Sequence, residues 1–302
     1  RLPVIGTKYT LFKHGHVMLL DVMPSHINQN DPLGAERKIL DAARTSTNLD
    51  TITKKFSSSE PIKYDYDRDA KLIQYLMKHD HGSPFDQIQI QLHLRLPMFV
   101  FGHLIRYRTA SFNVESGRYA KYKKEFYVPE KDRLLKQSKI NKQASSDEII
   151  DAEGIELFNS NLDLANASYE NFELLVDKYG LSREMARITN SQNLFVSCVM
   201  SINLRNILNI IKQRTHPTAQ YETRMYAFAM YNLVEKIAPI TLKTFMDTKV
   251  FKIDVNPEDL ILENDKYVIR CDLVKEGINE VNNLKADFKL YTSQLIDETI
   301  NQ

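Results

Sequence analysis

Residues 88–96 read IQIQLHLRL. Ile88, Ile90, Leu92, Leu94 and Leu96 alternate without a break with polar side chains. That is the period-2 signature of a strand with one face on a core and the other turned to polar surroundings. Just before it, Ser83-Pro84-Phe85-Asp86 carries a helix-start signal, with Ser as N-cap, Pro at the first helical position and an acid soon after. Further back, Asp69 to His79 reads as a short helix with Leu72, Ile73, Leu76 and Met77 facing inward. Leu33–Arg44 reads as another helix, and His16–Met23 as a buried strand. After the strand, Pro97 opens a helix towards Arg108, and 109–118 reads as a loop.

Further along, a long helix is expected over about 155–178, ended by Gly180, and a short one near Ser182. Leu194–Ile202 suits a strand, and Asn203 suits the cap of a helix that reaches Arg214. Pro217–Ile237 has the spacing of an amphipathic helix. Strands and helices are mixed without regular alternation, and no GxGxxG loop occurs. A doubly wound dinucleotide fold is therefore excluded and an α+β architecture is expected. Thr47–Tyr66 and Glu130–Asp151 are polar stretches that read as insertions. The main domain is expected over 1–248, and 249–302, lacking a recognisable motif, reads as an appendage.

The 302 residues are 43% hydrophobic and 26% charged, with a formal net charge of +1. No global field recruits nucleic acid or an acidic membrane, so anion recognition must come from local Lys and Arg clusters. No apolar run approaches the roughly 20 residues of a membrane helix. Two cysteines outside any CxxC pair, Cys198 and Cys271, argue against a disulfide framework or zinc site and for a reducing cytoplasm. No His/Asp/Glu grouping has metal-ligand spacing, so no metal is expected.

The chemically densest stretch is RYRTASFNVESGRY, Arg106–Tyr119. Guanidinium forks, Ser hydroxyls and N–H groups beside Gly117 are the parts of an anion cradle. Arg106 and Arg108 border the apolar run MFVFGHLI, where desolvated arginines need partners. A plain basic loop is one alternative. A nucleic-acid patch is another, because Lys121, Lys123 and Lys124 alternate with Tyr119, Tyr122, Phe126 and Tyr127.

This stretch resembles the signature of the flavin-dependent thymidylate synthases, Arg-His-Arg, seven residues, then Ser. Here it stands as Arg106-Tyr107-Arg108 and Ser116, with Tyr107 at the His position. YLMKHDHGSPFDQI, EFYVP, SREMARI and NLRNILNIIKQRTHPTAQYE are similar to neighbouring family segments, in family order over about 16–248. The resemblance implies a mixed sheet packed with helices in a homotetramer, with flavin sites between subunits. It implies FAD as cofactor, with NADPH and methylenetetrahydrofolate as co-substrates in converting dUMP to dTMP. It assigns flavin contacts to Ser83, Arg106, Tyr107, Arg108, Val114, Asn203, Leu204, Arg205 and Asn209. It assigns dUMP contacts to His103, Leu104, Ile105, Arg106, Val114, Glu115, Ser116, Gly117, Arg118, Arg187 and Arg214. Neither a nucleic-acid nor a membrane partner is implied.

The resemblance gives Arg214 the catalytic role of activating uracil, and the chemistry is coherent. C5 of uracil is a poor nucleophile until charge is pushed towards it. A thiolate adding at C6 could do this, yet Cys198 lies in the apolar run FVSCVM, where a buried structural thiol is expected. A fixed cation that stabilises negative charge on the ring is the other route. A same-fold enzyme making another 5-substituted dUMP, such as 5-hydroxymethyl-dUMP, is the closest alternative.

Overall fold

The computed structural model describes residues 5–24, 33–45, 65–139, 142, 144–252, 260–263, 266–269 and 271–295. The alternating segment forms the central strand β3 (Gln89–Pro97), flanked by β2 (Gly15–Met23) and the later strand β7 (Phe195–Asn203). Strands β1 (Lys8–Leu11) and β4 (Ser111–Val114) close the two edges, in the order β1-β2-β3-β7-β4. Every pairing is antiparallel, from Gln89↔Asn203 to Pro97↔Phe195 in the centre. The α+β class is as read; the sheet, expected to be mixed, is antiparallel throughout.

One face of the sheet carries Ile90, Leu92, Leu94 and Leu96, all buried, against helices α6 (Leu204–Arg214) and α7 (Tyr221–Ile237). Each fully buried side chain of this kind contributes about 1.5–3 kcal/mol. α6 starts where it does because the Asn203 Oδ1 accepts the Asn206 N–H at 2.9 Å. α7 begins at Tyr221 rather than 217. It is not amphipathic: Met225 to Met230 are buried in unbroken succession, as in a helix enclosed on all sides. The Tyr226 hydroxyl donates to the Arg95 carbonyl at 2.7 Å, tying α7 to β3.

The long helix α4 (Ala152–Asp177) is capped by Asp151, which accepts from the Gly154 N–H at 2.8 Å. Tyr169 and Phe172 are its buried residues, packed with Tyr122, Ala186, Leu194 and Val196 in a second cluster. Gly180 follows with φ +69°, the left-handed conformation that favours glycine at a helix end. Elsewhere on the scaffold lie α1 (Arg37–Thr45), α2 (Tyr66–Lys78) and α3 (Met98–Leu104). α5 (Arg183–Ala186) and α8 (Pro239–Phe245) complete it.

Several local expectations are corrected. The helix after Pro97 ends at Leu104, short of Arg108. Ser111–Val114, within the expected loop, is a strand because the edge of β7 offers it partners from Ser201 to Cys198. Ser83 does not cap: Ser83–Gln87 is a 3-10 turn with Gly82 at the cap position and no side-chain cap bond. The stretch 130–151 holds an exposed hairpin, β5 (Leu135–Gln137) and β6 (Ser145–Ile149). Residues 47–64 lie outside the described residues.

Beyond 248 a hairpin, β8 (Leu260–Glu263) and β9 (Lys266–Ile269), precedes helix α9 (Cys271–Gln294). α9 packs on α7. Phe288 is buried, with its ring centroid 5.0 Å from Phe228, and Tyr291 stacks on Phe228 at 5.1 Å.

Candidate active site

Because Gln89 pairs with Asn203, the turn entering β3 and the helix leaving β7 lie side by side. The Leu204 N–H donates to the Ile88 carbonyl at 2.8 Å and fixes that approach. Between them opens a cleft of about 730 Å³, lined by Asn203, Arg205, Asn209, Lys212 and Lys249, with His81, Gly82 and Asp86 opposite. Arg205 Nη1 lies 3.6 Å from Asp86 Oδ2, and Lys249 Nζ pairs with Asp80 at 2.7 Å. Gly82 leaves room for the guanidinium: a Cβ there would lie 2.6 Å from Arg205 Cζ. Ser83 is exposed beside this wall.

At the far end of α6 a second group gathers. The Tyr107 hydroxyl donates to Gln213 Oε1 at 2.9 Å, and Gln213 Nε2 donates to Asn209 Oδ1 at 3.1 Å. The Arg214 guanidinium lies over the Tyr107 ring, 5.4 Å from its centroid. Arg214 Nε is buried with no hydrogen-bond partner among the described residues. His103 Nδ1 meets Thr223 Oγ1 at 2.8 Å. Burial and then the Arg214 cation push the His103 pKa down, against a smaller pull from Glu222. His103 is therefore a neutral hydrogen-bonding group at neutral pH. Arg106 and Arg108, expected to be desolvated beside the apolar helix, are exposed.

The expected nucleotide segment 114–118 lies elsewhere. β4 reaches Val114 opposite Cys198, roughly 17 Å along the strand from Asn203 at ~3.4 Å per residue. Glu115 turns inward, accepting from Arg95 Nη1 and from the Ser197 N–H, each at 3.0 Å. Arg95, 6% exposed, also pairs with Glu125 at 2.8 Å. The Glu115 side chain thus serves to neutralise a buried cation. Gly117 packs against Tyr122, whose ring a Cβ would approach to 2.5 Å. The Ser116 Oγ accepts from the Arg118 N–H at 3.4 Å, and Arg118 Nη2 meets Glu184 at 2.9 Å. Arg187 is half-buried in the turn after α5.

Leu104 and Leu204 are buried in the core, so only their main chains can face a ligand, while Ile105 is exposed. Sequence reasoning missed Gln213, Lys212, Thr223 and Lys249. Gln213 and Lys212 were findable, being four and three residues from Asn209 on one helix face. Lys249 carried no signal. The basic patch is largely matched by acids, Lys121 with Asp177 and Lys124 with Glu170. Cys198 is 1% exposed and burial pushes its thiol up to about 11, so it is no ready nucleophile. Among the described residues no cluster could hold a metal, and no helix is long and apolar enough to cross a membrane.

Fold and cleft together define an α+β protein with a cationic, amide-rich cleft at the end of an antiparallel sheet. Residues 29–240 match the family described as thymidylate synthase complementing protein, and the chain belongs to that family. A flavin-dependent thymidylate synthase from Kosmotoga olearia is 36% identical over 184 residues, 60% of this chain and 77% of that one. Another from Thermus thermophilus is 37% identical over 215 residues, covering 71% and 73%. One from Wolbachia pipientis is 32% identical over 244 residues, covering 81% and 78%. The crystal structure of a UMP/dUMP methylase, PolB from Streptomyces cacaoi bound with 5-Br dUMP, superposes with a TM-score of 0.64. It is 27% identical and covers 77% of this chain and 95% of that one.

Proposed function

We propose that the protein is a flavin-dependent thymidylate synthase that converts dUMP to dTMP with FAD as cofactor. Methylenetetrahydrofolate donates the carbon and NADPH the reducing equivalents. The observation that carries this reading is the cleft where Asn203, Arg205, Asn209 and Lys212 meet Gly82 and Lys249, in a chain of this family.

The donor set fits the cofactor. Arg205, Lys212 and Lys249 offer cations for a diphosphate, and the Asn209 amide offers a neutral polar contact. When bound, the flavin supplies the hydride that completes the methyl group. Arg214 carries a guanidinium cation, with a buried Nε that no group among the described residues satisfies. Such a cation stabilises negative charge that develops on the uracil ring as C5 becomes nucleophilic. His103, kept neutral, can donate or accept one hydrogen bond without adding a second charge beside Arg214. Arg118, Ser116 and Arg187 supply donors for the nucleotide phosphate.

A homotetramer with sites between subunits agrees with two features of the single chain. The 116–118 segment leaves the sheet at Val114, opposite Cys198 and roughly 17 Å along β7 from the Asn203 end of the cleft, and Arg106 and Arg108 are exposed and available to a neighbouring copy. Titration of the protein with FAD, followed by absorption and fluorescence, tests the reading. FAD binds and dUMP then perturbs its spectrum; a folded tetramer that takes up no FAD overturns the proposal.

A further inference from the structure

We infer that Tyr107 is a positioning residue for Arg214, with Gln213 as its anchor. The inference rests on the reading of Arg214 as the uracil-activating cation. Arg214 ends α6 with its Nε buried and without a hydrogen-bond partner among the described residues. A long side chain in that state keeps several rotamers unless another contact selects one. The contact present is the Tyr107 ring, 5.4 Å from the guanidinium carbon, within the range of a cation–π interaction.

The ring is itself held. The Tyr107 hydroxyl donates to Gln213 Oε1 at 2.9 Å, and Gln213 is braced by its own bond to Asn209 Oδ1 at 3.1 Å. Asn209 lines the cationic cleft, so one relay runs from that cleft through Gln213 and Tyr107 to Arg214. Tyr107 suits the task because it stays neutral. Burial raises its pKa above the ordinary phenol value, although the charge of Arg214 and its hydrogen bonding to the hydroxyl pull the other way. A ring that became cationic would repel the guanidinium it has to hold.

The test uses Tyr107→Met, which fills a similar volume without a ring, and Tyr107→Phe, which keeps the ring without the hydroxyl. Gln213→Ala removes the anchor from an exposed position. The first readout needs neither flavin nor nucleotide: the rate at which phenylglyoxal modifies Arg214, followed by peptide mass spectrometry. Arg214 reacts several-fold faster in Tyr107→Met than in wild type. It reacts at an intermediate rate in both Tyr107→Phe and Gln213→Ala, which keep the ring but lose the hydroxyl–amide bond that anchors it. The second readout is steady-state turnover. In Tyr107→Met kcat falls roughly two- to thirtyfold, the loss expected of a broken cation–π contact, with less change in the KM for dUMP. Tyr107→Phe, with the ring kept and its anchor lost, restores part of kcat. Unchanged Arg214 reactivity in both Tyr107→Met and Gln213→Ala overturns the inference, as does a Phe variant that matches Met in both readouts. Faster modification without any flavin-dependent turnover would uphold the positioning and defeat the functional reading instead.

Discussion

Arg118 and Glu184 meet at 2.9 Å across the gap between β4 and α5, and both side chains are more than half exposed. An exposed pair of this kind adds about 0–1 kcal/mol to stability. Its position makes Glu184 a competitor for the nucleotide phosphate. Arg118→Ala is therefore expected to leave the melting temperature nearly unchanged and to weaken dUMP binding roughly ten- to a hundredfold, the worth of a charge-assisted contact. Glu184→Gln should tighten dUMP modestly. Calorimetric titration of both variants checks this, and a Glu184→Gln variant that binds dUMP more weakly speaks against the competition.

Arg205 is more than half exposed and lies 3.6 Å from Asp86, a loose pairing that leaves its guanidinium able to take a phosphate. Arg205→Ala should reduce FAD affinity roughly ten- to a hundredfold with little change in unfolding temperature. Fluorescence titration with FAD measures it. An affinity equal to wild type would remove Arg205 from the cofactor site.

Cys198 lies on β7 between Leu94 of β3 and Val114 of β4, and burial lifts its thiol to about 11. Cys198→Ser should keep turnover and lose stability of about 1 kcal/mol. Cys271→Ser should also keep turnover. A folded variant of either kind with no activity would show that a thiolate is needed after all.

Glu36 is fully buried and accepts the Thr241 and Ile240 N–H groups at 2.6 and 3.3 Å. Burial lifts its pKa to about 7, against the pull of those donors. The folded state thus binds a proton that the unfolded state releases near 4.5. The resulting stability is fully present below pH 4.5 and is lost as pH rises through 7. At one pK unit per ~1.4 kcal/mol, the change amounts to roughly 3 kcal/mol. Denaturant melts of wild type and Glu36→Gln at pH 5.5 and 8 isolate it. The wild type should lose ground to the variant at the higher pH, and a pH-independent difference would contradict the assignment.

Much of this was legible in the sequence because local signals agreed with the fold. IQIQLHLRL became β3, Asn203 became the cap of α6, and Gly180 took the positive φ that ends a long helix. What escaped depended on partners distant in sequence. SFNV at 111–114 is a strand only because β7 presents an edge to it. The bond from Arg95, on the polar face of β3, to Glu115 joins residues 20 apart in sequence, and no local pattern announces it. The enclosure of α7 depends partly on α9, whose Phe288 and Tyr291 cover Phe228. The arrangement around Arg214 was legible as a motif, and the Tyr107–Gln213 bond within it was not.

The most direct measurement is dTMP formation in a single turnover, starting from prereduced FAD on the enzyme with saturating dUMP and methylenetetrahydrofolate. The wild type should yield dTMP in step with oxidation of the flavin. Arg214→Ala should retain FAD while forming dTMP about a hundred- to a thousandfold more slowly, the cost of losing one preorganised charge-stabilising group. Formation of dTMP by Arg214→Ala at the wild-type rate would contradict the account.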